Sequence, residues 1–266
     1  MKGAWFSGLL AILPFGAVAG AGELMVLPER EFATVPALSS RIDPGALDQE
    51  LLSAAIFHET NRVRRQFNLP GLKFLPQLNA AADVEASVGS ISHPPSHTNP
   101  FMLIATPLER VKHAGLAPHY VAENIAMISI YEIDPDLGVG IIKKKGKLVF
   151  VNPDTLDELR PNTYEGFARS VVKAWMASPG HRLNLLRREV SYLGCALRPT
   201  KTESGVEMIF AVQVFFNQET NNTRTAARPR RNFLTRFRIC AMGVKCATEC
   251  LILAPSPAGF VRPGLP

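Results

Sequence analysis

Trp175-Met176-Ala177-Ser178-Pro179-Gly180-His181-Arg182-Leu183-Asn184-Leu185-Leu186 closes one helix and turns the chain toward a strand. Upstream of it, Thr163 can accept the hydrogen bond that opens a helix. Phe167, Val171, Trp175 and Met176 then recur at the spacing of one buried face up to Ser178. Proline lacks the amide proton a helix interior needs, so Pro179-Gly180 ends the run. A short turn carries His181 to Leu186. Beyond it, Tyr192 to Leu197 and Met208 to Phe216 read as strands joined by a loop containing Ser204-Gly205. The second strand is apolar at nearly every position, which predicts a central place with both faces covered.

Outward from this stretch the elements are shorter. Residues 20–45 hold Pro28 and Pro36 without sustained periodicity and read as a linker. Asp43-Pro44 reads as an N-cap followed by proline at the first helical position, opening a helix over 46–67. Leu47, Leu51, Ala55, Ile56, Val63 and Phe67 give it an inward stripe. A second helix runs from Pro76 to about Gly89, with Leu78, Ala81, Ala82, Glu85 and Ala86 along its buried face. Residues 91–106 form a proline-rich loop, and Thr106-Pro107 opens a short helix ending near Ala114-Gly115. Ile141-Ile142 and Leu148-Val149-Phe150-Val151 flank a Lys-Gly turn and predict a hairpin, inside an insertion over about 129–162.

Five segments in this order resemble the CAP superfamily of cysteine-rich secretory, antigen 5 and pathogenesis-related 1 proteins, in its bacterial SCP-like branch. They are Asn61-x-x-Arg64 with Leu69-Pro70-x-Leu72, then Ser96-His97-Thr98, then Ala122-Glu123-Asn124-Ile125-Ala126. Ser178-Pro179-Gly180-His181-Arg182 with Asn184 follows, and Phe210-Ala211-Val212-Gln213-Val214-Phe215 closes the set. Alanine stands at 122 where the family usually has glycine. The resemblance covers about residues 50–217, within a domain expected over 46–218. It implies an α+β fold, a three-layer αβα sandwich around a mainly antiparallel sheet. It also implies a polar cleft, carried over onto His97, Glu123 and His181, with Glu165 as a fourth candidate. His93 competes with His97, because Ser92-His93 imitates the same motif.

Some members of the family hold a divalent metal through the two histidines. Neutral imidazoles at His97 and His181 would suit Zn²⁺ with open water positions, and Glu123 would then be the candidate base or orient a ligand. The plainer alternative is that His181 bonds within its own turn and Glu123 satisfies buried amides. Neither G-x-S-x-G nor H-E-x-x-H occurs, and His58-Glu59 lacks the second histidine of the latter. The resemblance implies an exported, non-enzymatic module that binds a small apolar ligand, a lipid or an envelope partner. A metal-assisted hydrolase using His97, His181 and Glu123 is the alternative, and a toxin or adhesin acting through the tail is a third class.

Charge and cysteines bound these readings. The formal charge of +6 resides in residues 219–266, which hold eight Lys/Arg and two acids and leave 21 of each sign in the other 218 residues. A neutral body argues against nucleic-acid binding by the folded domain, while the basic tail can touch anionic surfaces. Lys2, the apolar run to Ala19 and the small residues Ala17 and Ala19 predict a signal peptide over 1–19, hence a secreted or periplasmic protein. Cys195 reads as a small core residue. Cys240, Cys246 and Cys250 lie in the tail, where their pairing is open.

Overall fold

The computed structural model describes residues 22–92, 95–133, 137–202 and 205–218. The signal segment, His93 and the basic tail with its three cysteines lie outside them. In chain order the elements are α1 (Glu23–Val26), α2 (Glu29–Phe32), a 3₁₀ turn (Pro36–Ser39), α3 (Gln49–Gln66), β1 (Lys73–Phe74), α4 (Pro76–Gly89) and a 3₁₀ turn (Met102–Ile104). There follow α5 (Pro107–His113), β2 (Pro118–Ser129), β3 (Gly140–Lys144), β4 (Lys147–Val151), α6 (Tyr164–Ala177), α7 (Pro179–Leu185), β5 (Tyr192–Lys201) and β6 (Glu207–Gln218).

The main sheet has the order β1-β5-β6-β2. β6 pairs antiparallel with β5 and β2, and the short β1 runs parallel to β5. Alternation along β6 builds both halves of the core. Ile209, Ala211 and Phe215 face α3 and α6, while Phe210, Val212, Val214 and Phe216 face α4 and α5. A strand covered on both faces needs no polar positions, which is why it reads as a continuous apolar run. The result is the expected α+β sandwich: α3 and α6 on one side, α4 and α5 on the other. On β5, Gly194 lies under α4 so closely that a Cβ there would stand 2.5 Å from the Leu78 carbonyl carbon and oxygen.

Three local expectations are corrected. Residues 22–42 are not a linker. α1, α2 and the first 3₁₀ turn bury Met25, Phe32, Leu38 and Ile42 against the core that holds α3 and α6. Asp43 holds only a turn, its carboxylate accepting from Gly45 N at 2.8 Å, and α3 starts five residues later than Asp43-Pro44 suggests, capped by Asp48 through Leu51 N at 2.9 Å. The chain after Ser178 is a full helix, α7, because proline at the first helical position restarts the spiral that it cannot continue. The Thr163 cap stands, accepting from Gly166 N at 3.0 Å. So does the hairpin: Lys145 and Gly146 both have positive φ, as a two-residue turn of the right twist requires.

Candidate functional site

β2 carries two adjacent polar residues that point to opposite faces, as strand geometry demands. Asn124 faces the α3 side and joins a chain of polar groups in which Asn124, Gln213 and Thr60 are fully buried and Asn184 is half-buried. Asn184 Nδ2 donates to Asn124 Oδ1 at 2.9 Å, Asn124 Nδ2 to Gln213 Oε1 at 3.4 Å, and Gln213 Nε2 to Thr60 Oγ1 at 2.7 Å. These bonds tie α7, β2, β6 and α3 together at one level of the sheet. Asn124 Nδ2 also reaches the His181 carbonyl at 3.3 Å, while the Asn184 amide reaches the Glu123 carbonyl at 3.3 Å.

Glu123 faces the other way, toward α4 and α5, and its side chain is 1% exposed. Both of its oxygens are engaged. His97 Nδ1 lies 3.0 Å from Oε1, and Arg110 Nη2 donates to Oε2 at 2.6 Å. Arg110 is itself fully buried and binds a second carboxylate, Glu85 of α4, through Nη1 at 2.8 Å. Its Nη1 also donates to the Ile104 and Ala105 carbonyls, at 3.2 and 2.9 Å. Asn99 completes the set, donating to Glu85 at 3.1 Å and to the Ile104 carbonyl at 2.9 Å, while its own Oδ1 accepts from Phe101 N. The capping box at Thr106 and Glu109 fixes the start of the helix that carries Arg110.

One guanidinium between two buried carboxylates leaves an excess negative charge out of water, which is costly. Burial, set against the attraction of Arg110 and reinforced by repulsion from Glu123, pushes the Glu85 carboxyl up to about 7 from the ordinary 4.5. A proton on Glu85 cancels the excess. An acid whose pKa is raised by folding binds its proton more tightly in the folded state. Its contribution is therefore complete below about pH 4.5 and is lost as pH rises through 7. The unfolding free energy of the wild-type protein, relative to Glu85→Gln, should fall between pH 5 and pH 8 by an amount on the order of 2 kcal/mol. A difference that stays flat over that range would show that Glu85 is ionised throughout.

Of the residues singled out by sequence, the structure brings His97 and Glu123 together. His181, on α7, meets the same strand in a small recess that it lines with Ile125–Ile128, Ala174 and Trp175. Glu165 is not part of this site. It sits on the first turn of α6, pairs with Arg169 at 3.0 Å, and lines a recess with Glu29, His58 and Glu59. Ten residues of helix, about 15 Å, separate it from Trp175, whose indole N–H reaches the Ile125 carbonyl. Glu85, Asn99 and Arg110 are the members that sequence reasoning missed. Glu85 alone left a signal, a carboxylate within an otherwise apolar helical stripe.

Among the described residues no three His, Cys, Asp or Glu side chains converge as metal ligands, and the Glu123 carboxylate is already paired with Arg110. An apolar recess of about 260 Å³ lies elsewhere, walled by Ile42, Leu47, Ile130, Met208 and Ile209, and shares no residue with this cluster.

The cysteine-rich secretory protein family, CAP, matches residues 57–215, more than half of the chain. The chain belongs to the CAP family. Its fold resembles solved structures of an SCP-domain extracellular protein from Bacillus anthracis (20% identity, TM-score 0.42) and of an outer surface protein from Borrelia burgdorferi (17%, TM-score 0.42). The alignments cover 64% and 68% of this chain, with 41% of the first structure and 99% of the second. No match was found among the curated proteins. Cys195 is a free, fully buried thiol whose pKa burial pushes up, inert in the core of the sheet.

Proposed function

We propose that this CAP domain is an exported, non-enzymatic binding module for a small apolar ligand, a lipid or an envelope partner, which it meets at the face beside His97. The observation that carries the reading is the double engagement of Glu123. A carboxylate only 1% exposed, held by an imidazole on one oxygen and a guanidinium on the other, is placed as a strut between elements and away from solvent water. The cluster instead grips the loop before α5, since Arg110 and Asn99 hold the carbonyls of residues 104 and 105. Gripped there, the loop presents Phe101, Met102 and Leu103 to solvent at 55%, 83% and 75% exposure. Three large apolar side chains held outward in a row mark a contact surface. Export is supported by the charged start, apolar run and small residues of the first 19 positions. No helix among the described residues is long and apolar enough to cross a membrane.

The test uses the full mature chain and the fluorescent apolar probe N-phenylnaphthylamine. Met102→Ser/Leu103→Ser should weaken probe binding about tenfold without changing the melting temperature, since both side chains are exposed. Unchanged binding overturns the reading of this face. Peptide or ester hydrolysis by the wild type, abolished by Glu123→Gln in a protein that still folds, would overturn the non-enzymatic reading.

A further inference from the structure

The recess at the end of α7 has a different chemistry from the face beside His97. It measures about 520 Å³ and is lined by Pro179, Arg182, Leu183, Leu186, Arg187, Arg188 and Glu189. Its three arginines meet a single acid. Arg187 makes only a 4.0 Å contact with Glu189 and lies 4.4 Å above the Tyr120 ring. Arg182 lies 5.7 Å from the Phe67 ring. Neither Arg182 nor Arg188 has a carboxylate partner among the described residues. In a body with equal numbers of positive and negative side chains, this face is locally cationic.

A second, independent observation lies beneath it. Arg64 of α3 is fully buried and holds the chain of the recess from below, its Nη1 donating to the Leu185 and Arg187 carbonyls at 2.7 and 2.9 Å. Its Nε donates to the Pro70 carbonyl at 3.0 Å. All three acceptors are neutral, and Nη2 has no hydrogen-bond partner. A buried guanidinium without a counter-ion is costly, and its field is poorly screened. It adds positive potential under a surface that already carries three cations.

We propose that this recess binds a phosphate-bearing anion. Arginine forks match phosphate oxygens two at a time. Arg182 and Arg188 supply the free forks, Arg187 is oriented by its ring contact, and Arg64 fixes the backbone between them. Leu183, 67% exposed at the rim, together with Leu186 and Pro179, offers apolar surface beside the charge. The shared chemistry is the phosphate, whether it arrives as the headgroup of an amphiphile or free. The proposal is independent of the face beside His97.

The experiment is calorimetric titration of the full mature protein at low salt with inorganic phosphate and, separately, with monomeric dihexanoyl phosphatidylglycerol. Arg182→Gln/Arg188→Gln should lower affinity at least tenfold for whichever anion binds. The basic tail is identical in both proteins and cancels from the comparison. Tighter binding of the lipid than of phosphate, weakened by Leu183→Ser, assigns a lipid headgroup. Equal affinity for both, indifferent to Leu183→Ser, assigns free phosphate. Saturable binding that the arginine variant leaves unchanged, or no saturable binding of either anion, overturns the proposal. Hydrogen exchange on the wild-type protein guards against a variant that folds poorly: the bound anion should protect the amides of residues 180–189, and protection only elsewhere overturns it too.

Discussion

Arg110→Gln lowers the stability of the fold by about 3–5 kcal/mol, the largest electrostatic effect expected of any single change in this chain. The magnitude follows from what is left behind. Glu85 and Glu123 are each 1% exposed at the side chain, and both lose the same cation. Glutamine can replace some hydrogen bonds but not the charge, so Glu123 is left without its buried cation, and Glu85, whose carboxyl already stands at about 7, is driven further toward its protonated form. For a domain of this size the loss corresponds to a fall of roughly 10 °C in melting temperature, readable by calorimetry. The loop should respond as well, since Arg110 also holds the Ile104 and Ala105 carbonyls, and amides over residues 97–106 should exchange faster than in the wild type. Glu85→Gln in the Arg110→Gln background should recover part of the loss. A melting temperature within a degree or two of wild type would mean that the three charges are not coupled in the folded protein.

Gly194→Ala is the second large effect, and it is steric. The added Cβ would meet Leu78 C and O at 2.5 Å and Asn79 N at 2.6 Å, all backbone atoms of α4. A side chain in the way can rotate aside, but a helix backbone must translate, carrying Leu78, Ala82 and Glu85 with it. Overpacking of this kind reaches about 3 kcal/mol or more. The displacement also strains the Glu85–Arg110 contact, so the variant should bind N-phenylnaphthylamine more weakly as well as melt lower. Gly180→Ala, with nothing within 4 Å of its added Cβ, is the control and should be close to neutral. Equal stability of the two variants would show that α4 can ride higher on the sheet at little cost.

What the sequence shows and what it hides divides along physical lines. α3, α4 and α6 are legible because each is long enough to repeat its apolar spacing three or four times. β6 is legible because no other short element is apolar on every side. β2 carries the site yet has no such pattern: Ala122-Glu123-Asn124-Ile125-Ala126 mixes small, charged and apolar residues, and only its partner β6 makes it a strand. Segment 22–42 is misread for a related reason. Four-residue helices contain a single turn and show no period, so their burial is decided by the groove they fill. Of the polar cluster, His97 and Glu123 are visible through family motifs. Arg110 is not, because an arginine between Glu109 and Val111 on a short helix looks like any solvated charge. The pull that buries it comes from carboxylates 25 residues behind it and 13 ahead of it.

The packing of residues 22–42 also sets an order of events. This segment leaves the ribosome before the rest of the domain, yet the bonds that seat its 40–42 end come from far along the chain. Ile42 N donates to the Asn162 carbonyl at 2.9 Å, and Tyr164 N to the Ser40 carbonyl at 3.3 Å. These last two partners are made about 120 residues later, so closing that loop costs chain entropy. The first half of the segment has nearer partners, since Phe32 stacks on His58 at 3.9 Å and the Leu24 carbonyl meets His58 Nε2 at 2.8 Å, both within reach once α3 is made. The segment is therefore seated in two stages, and a nascent chain halted before α6 would hold residues 22–32 against α3 while its 40–42 end still lacks its docking partner.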